Sequence, residues 1–163
     1  MNKKVVFIVH AAVISALYVV LTLVANTLGL ANYAIQVRIS EALTILPLFP
    51  PAAIPGLFIG CILSNILTGC MLWDVIFGSI ATLLGALGTY ALRRFSKWLA
   101  PLPPIIANTI IVPFVLSYVY HFEGSIPYFM VTVGIGEIIS CGVLGLLLHG
   151  VLSKYKKYLF PAE

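Results

Sequence analysis

Ser40-Glu41-Ala42-Leu43-Thr44-Ile45-Leu46-Pro47-Leu48-Phe49-Pro50-Pro51 is the stretch on which the fold turns. It is greasy enough for a membrane core. As an α-helix, however, the ten residues before the double proline rise only ~15 Å, and a full crossing needs ~20 mostly apolar residues. Pro50-Pro51 removes backbone donors and clashes with the turn before it. The stretch therefore reads as a short second span, or as one half of a broken hairpin with the run that follows. Outward from it, five more apolar runs appear, at about 5–27, 52–68, 74–92, just past 101 to 120, and 127–153.

Composition agrees with these runs. Of 163 residues, 61% are hydrophobic and 9% charged, and the mean hydropathy is +1.12. Soluble globular domains carry about 25% charge, so a water-soluble enzyme, a nucleic-acid reader and a disordered tail are all excluded. The net charge of +4 gathers in short clusters between the runs, which is a membrane pattern. A nucleic-acid binder would spread it in a stripe with interleaved aromatics. The expected fold is all-α: one domain over 1–163, an integral membrane bundle of six transmembrane helices.

Orientation follows from the loop cations. Lys3, Lys4, Arg93, Arg94, Lys97, Lys154, Lys156 and Lys157 fall on one side of a six-span bundle, and only Arg38 falls on the other. The basic side is cytoplasmic, which puts both termini inside and requires an even number of spans. The amino-terminal run has no small-x-small cleavage site followed by a polar mature domain, so it reads as a retained helix.

Catalytic devices are missing from the sequence. It has no G-x-x-x-x-G-K-[ST] loop, no H-E-x-x-H and no G-x-S-x-G, so no catalytic residue is assigned. Cys61, Cys70 and Cys141 have no metal-ligand spacing, and neither a metal nor a cofactor is expected.

The informative residues are polar groups inside apolar runs, because each costs several kcal/mol in lipid, ~2.5–3.5 for a charge at a helix centre. Arg38 and Glu41 lie at the outer start of the second span, three residues apart and able to pair on one turn. Asn65 lies near the outer end of the third. Trp73 and Asp74 open the fourth. Asp74 reads either as a helix cap or as a pocket carboxylate, and Trp73 as an interfacial belt residue or a stacking surface. Glu137 lies about ten residues into the last span, within Gly134-Ile135-Gly136-Glu137-Ile138-Ile139. It reads either as a protonated side chain bonded to a neighbouring helix or as a ligand contact. His121 and Glu123 read as a solvated outer loop, and Asn108 as a bridge between helices. All the candidates but Asn108 crowd the outer half, as a pocket open to the outside requires.

Small residues form a second pattern. Ala12 and Ala16 give the first span an A-x-x-x-A face, and Gly56 and Gly60 give the third a G-x-x-x-G face. Such faces let helices approach closely. The first-span face is a place for another membrane subunit.

Together these features resemble the substrate-binding subunits, or S-components, of energy-coupling-factor (ECF) transporters. The run Val37-Arg38-Ile39-Ser40-Glu41-Ala42-Leu43-Thr44, then Pro47, then Ala52-Ala53-Ile54-Pro55-Gly56-Leu57-Phe58-Ile59-Gly60-Cys61, resembles the QueT family of queuosine-precursor transporters. The resemblance implies a subunit of a bacterial plasma membrane that captures its ligand from outside. It also implies docking through the Ala12/Ala16 face onto a transmembrane coupling protein and two ATPase subunits, which explains the missing phosphate loop. The implied ligand is a planar deazaguanine base, with or without an aminomethyl arm. Its ring N–H and exocyclic amine suit a carboxylate, Glu137 or Asp74. Its carbonyl suits Asn65 or Arg38, its cationic arm Glu41, and its face Trp73 or Tyr128. Three other readings stay open: a stand-alone secondary transporter using Glu137 as a proton relay, a membrane-embedded enzyme, and an S-component for another small vitamin-like nutrient.

Overall fold

Asn2 starts the first helix, its side chain accepting a hydrogen bond from the Lys4 amide at 3.1 Å. The 25 residues of α1, Lys3–Thr27, follow. The computed structural model describes residues 2–30 and 36–159, and over these it is all-helical. A 3₁₀ helix, Ile39–Leu48, precedes α2 (Ala53–Leu67), α3 (Leu72–Leu92) and α4 (Leu102–Tyr118). Then come α5 (Ile126–Glu137), a π-helical segment, Ile138–Leu144, and α6 (Gly145–Leu159).

Two elements differ from the sequence reading. The second segment is 3₁₀ rather than α-helical. Its rise of ~2.0 Å per residue carries ten residues about 20 Å, further than an α-helix would. Runs longer than three or four residues are uncommon for 3₁₀ helices. This one is enclosed on all sides, with every residue from Ser40 to Pro47 buried. The last helix is also longer than expected. α5, the π segment and α6 form one rod over Ile126–Leu159, 34 residues long, whose final turns carry Lys154, Lys156 and Lys157 beyond the apolar stretch.

Lys3–Thr27, Leu72–Leu92 and Ile126–Leu159 are long and apolar enough to cross a membrane, while Ile39–Leu48, Ala53–Leu67 and Leu102–Tyr118 are shorter apolar helices. The segments alternate in direction. The end of α1, the start of the 3₁₀ helix, the end of α2, the start of α3 and the end of α4 gather at one end of the bundle. The turn at Leu48, Phe49 and Pro51, the end of α3 and the end of α6 gather at the other.

The core joins Ile14 and Tyr18 of α1 to Leu43 and Leu46 of the 3₁₀ helix and to Leu57 and Cys61 of α2. Glycines set the α1–α2 spacing. A Cβ on Gly56 would fall 2.8 Å from the Ala11 carbonyl oxygen, and one on Gly60 2.8 Å from Tyr18 Cβ. The G-x-x-x-G face is therefore consumed inside the bundle, whereas Ala12 and Ala16 are exposed. Gly60→Val is expected to push α2 off α1 and lower stability by about 1–3 kcal/mol, the usual range for overpacking. A thermal melt in detergent measures it, and an unchanged midpoint would show that the contact yields.

Candidate functional site

A hollow of about 260 Å³ opens at the end where α1, α2 and α4 finish. α1 supplies Thr22 and Asn26 to its wall, and the segment before the 3₁₀ helix supplies Gln36 and Arg38. Asn65 and Thr68 come from the end of α2 and Asp74 from the first turn of α3. Val112 and Leu116 form an apolar wall on α4, and Tyr120 and Phe122 follow from the loop.

Asp74 is buried, and it is not the helix cap: Met71 holds that position. Its Oδ2 accepts a hydrogen bond from the Tyr120 hydroxyl at 2.9 Å, and the same hydroxyl accepts from the Met71 amide at 3.2 Å. Gly78 lies under Asp74 and Asn65. A Cβ there would meet Asn65 Nδ2 at 3.3 Å and Asp74 Oδ1 at 3.4 Å, so the amide and the carboxylate come over the same spot. The rings of Tyr120 and Phe122 lie 5.6 Å apart, tilted by 31°.

Beneath the hollow lies a buried polar layer. The Tyr18 hydroxyl donates to Glu41 Oε1, and just above it, at the floor of the hollow, the Thr22 hydroxyl lies 2.9 Å from Ser40 Oγ. The Cys141 thiol donates to Glu137 Oε2 at 3.1 Å. Glu41, Glu137 and Cys141 each bring an atom within 4.8 Å of the others, and all three are buried. Glu41 Oε2 has no hydrogen-bond partner among the described residues. Two carboxylates this close in a low-dielectric interior cannot both stay charged unless a cation joins them. The layer can therefore hold a shared proton or a small cation. Arg38 lies within electrostatic reach of Asp74, Glu41 and Glu137. Ser140 and Cys141, which bond to the Arg38 amide and to Glu137, lie in the π segment, a form of helix frequent at functional sites. Ser140 Oγ accepts from the Arg38 amide at 3.1 Å.

Of the sequence candidates, Arg38, Asn65 and Asp74 line the hollow. Glu41 and Glu137 come together below it rather than on its wall. Trp73 and Tyr128 are not on the wall. Trp73 is 55% exposed and stacks on Phe77 at 5.9 Å. Tyr128 is 50% exposed and packs edge-on to Phe129. The missed residues are Thr22, Asn26, Gln36, Thr68, Tyr120 and Phe122. For α1 a signal existed: Tyr18, Thr22 and Asn26 repeat at helical spacing, so one polar stripe faces the 3₁₀ helix and the hollow.

Over the described residues, fold and hollow define an all-helical membrane protein with a small polar recess at one end of its bundle. Residues 8–154 match the family model described as QueT transporter, and the chain belongs to that family, which is one of transporters and not of enzymes. It is 36% identical over 98 residues to the queuosine precursor transporter QueT of Lactococcus lactis subsp. cremoris (strain MG1363). That match covers 59% of this chain and 57% of the relative, little more than half of either. No solved structure matches the chain.

Proposed function

We propose that the chain is the substrate-binding S-component of an ECF-type transporter and that its hollow captures a queuosine precursor from outside the cell. The observation that carries this reading is the composition of the recess: a buried carboxylate, an amide and a guanidinium converge there beside two aromatic rings. A deazaguanine presents a ring N–H and an exocyclic amine to one acceptor, and Asp74 supplies it. Asn65 and Arg38 donate to the ring carbonyl. Tyr120 and Phe122 offer a face for stacking, the role the sequence pointed to Trp73 or Tyr128 for. The recess, about 260 Å³, is just below the usual ~300–1,000 Å³ of ligand pockets. It therefore favours a free base over a nucleoside. An aminomethyl arm would point down toward Glu41 and Glu137, whose paired carboxylates want a cation.

The membrane reading goes with this. All six segments cross the bilayer, the 3₁₀ helix and α2 forming the short pair around Pro50-Pro51. The basic end faces the cytoplasm with both termini, and the recess faces out. The exposed Ala12/Ala16 face docks the coupling protein, and two ATPases act through it.

One experiment tests class and ligand together. Chain purified from cells supplied with an aminomethyl deazaguanine is examined by mass spectrometry, and uptake is measured with and without the coupling protein and ATPases. A co-purified deazaguanine with uptake only in the full assembly is the expected result. Absence of a bound base removes the ligand assignment. A second reading is favoured by the buried carboxylate pair, which could relay a proton in a stand-alone carrier. Uptake by the chain alone in liposomes, driven by a pH gradient, would establish that reading instead.

Glu137→Gln is expected to weaken binding of the aminomethyl base by about tenfold or more, since a hydrogen bond to a charged partner contributes ~1.5–3 kcal/mol. Binding of the base without its arm should change little. Equal loss for both ligands would show that Glu137 supports the fold of the layer rather than the arm.

A further inference from the structure

The opposite end of the bundle carries a second hollow that the capture of a base does not use. It is lined by Arg93 and Arg94 just past α3, by Lys156 of α6, and by Leu48, Phe49 and Pro51 at the turn after the 3₁₀ helix. Its volume is about 440 Å³. The three cations are brought together from two separate helix ends, and all are exposed. No described carboxylate lines this hollow. Asp74, Glu41 and Glu137 belong to the recess and the layer beneath it, and Glu123 lies in the loop that leads into α5 at the recess end.

Aromatic side chains mark the depth. Phe95 and Trp98 beside the arginines and Tyr155 and Tyr158 beside Lys156 are 55–84% exposed. Exposed aromatics at helix ends sit at the level of the lipid headgroups. Arg93 already stacks on Tyr90, its guanidinium carbon 3.9 Å from the ring centroid. That contact uses the face of the guanidinium and leaves its N–H edges available to an oxyanion.

We propose that this hollow seats the phosphate of an anionic phospholipid such as phosphatidylglycerol. Arg93, Arg94 and Lys156 hold the phosphate oxygens, and the half-buried Leu48 and Pro51, backed by the buried Phe49, receive the first carbons of an acyl chain. A free phosphate would gain nothing from that apolar side, which is why the lipid is the favoured source of the anion. The lipid would tie the ends of α3 and α6 to the turn between the 3₁₀ helix and α2, steadying the bundle from the side opposite the recess.

The test uses the full chain in detergent, loaded with phosphatidylglycerol or phosphatidylcholine and followed by native mass spectrometry. The expected result is that phosphatidylglycerol is retained about tenfold better, a preference in keeping with three cations near one anionic headgroup. R93Q/R94Q/K156Q should abolish the preference, and K3Q/K4Q/K154Q, which removes as many charges from the same end, should keep it. The single variant K156Q gives a partial loss if the triple variant unfolds. Equal loss in both triple variants, or equal retention of the two lipids, would overturn the site. Displacement of phosphatidylglycerol by inorganic phosphate at matched concentration would overturn the lipid in favour of a free anion. None of these readings depends on whether the recess binds a base.

Discussion

Asp74→Asn is expected to weaken binding of a deazaguanine base by about ten- to a hundredfold, measured by calorimetric titration of the purified chain. The substitution keeps size and shape but changes the atoms presented. In the native chain Asp74 Oδ2 accepts from the Tyr120 hydroxyl at 2.9 Å, and in the proposed complex the other oxygen accepts from the base. Asn can still accept from Tyr120 through its one oxygen. It then turns an N–H₂ toward the ligand's own N–H edge, donor against donor. The loss combines a missing charge-assisted bond, worth ~1.5–3 kcal/mol, with an unpaired buried group. Tyr120→Phe separates the two contributions. It leaves the carboxylate in place but frees it to turn, so binding should fall only a few-fold. An Asp74→Asn chain that binds as tightly as the native one would take Asp74 out of the recognition of the base. If Tyr120→Phe matched the loss of Asp74→Asn, the phenol would be the principal contact instead.

Arg38, Asn65 and Asp74 were legible in the sequence because a polar group within an apolar run is expensive and must face something other than lipid. Tyr120 and Phe122 were not, because aromatics near a span end also serve as interfacial belt residues. Trp73 shows the converse. It neighbours Asp74 in sequence, but one helical step of about 100° places it on the outer face against Phe77. The spans were legible as apolar runs, but their type was not. Residues 40–47 are all buried, so hydrophobicity has no period there to distinguish 3₁₀ from α. The last helix runs on to Leu159 because charged residues end an apolar run without ending a helix. The convergence of Glu137 with Glu41 was legible as two carboxylates of one polar cluster, but their place below the recess rather than on its wall was not. That contact crosses nearly a hundred residues of chain, from the 3₁₀ helix to the last residue of α5, and no local pattern encodes it.

Gly136→Ala should disable the recess without touching any ligand-contacting side chain. Gly136 faces the backbone of Gln36, and a Cβ there would collide with the Gln36 carbonyl oxygen. The segment from Gln36 to Arg38 has little freedom to retreat. The Val37 amide donates to the Leu30 carbonyl at 3.1 Å, and the Arg38 amide donates to Ser140 Oγ at 3.1 Å. A methyl group must therefore break one of these bonds or displace α5, an overpacking cost of about 1–3 kcal/mol. Arg38 moves with the segment, and base affinity is expected to fall by more than about tenfold, because misplacing a charge-assisted contact forfeits most of its value. Gly142→Ala is the matched control: its nearest neighbour, Ile138 Cγ2, is 3.9 Å from the new carbon, an ordinary contact. It should bind and melt as the native chain does. If both alanine variants lose affinity equally, the cause is the added helix stiffness in the rod and not the Gln36 contact. If Gly136→Ala melts early but binds normally, the strap before the 3₁₀ helix supports the fold and leaves recognition to Asn65 and Asp74.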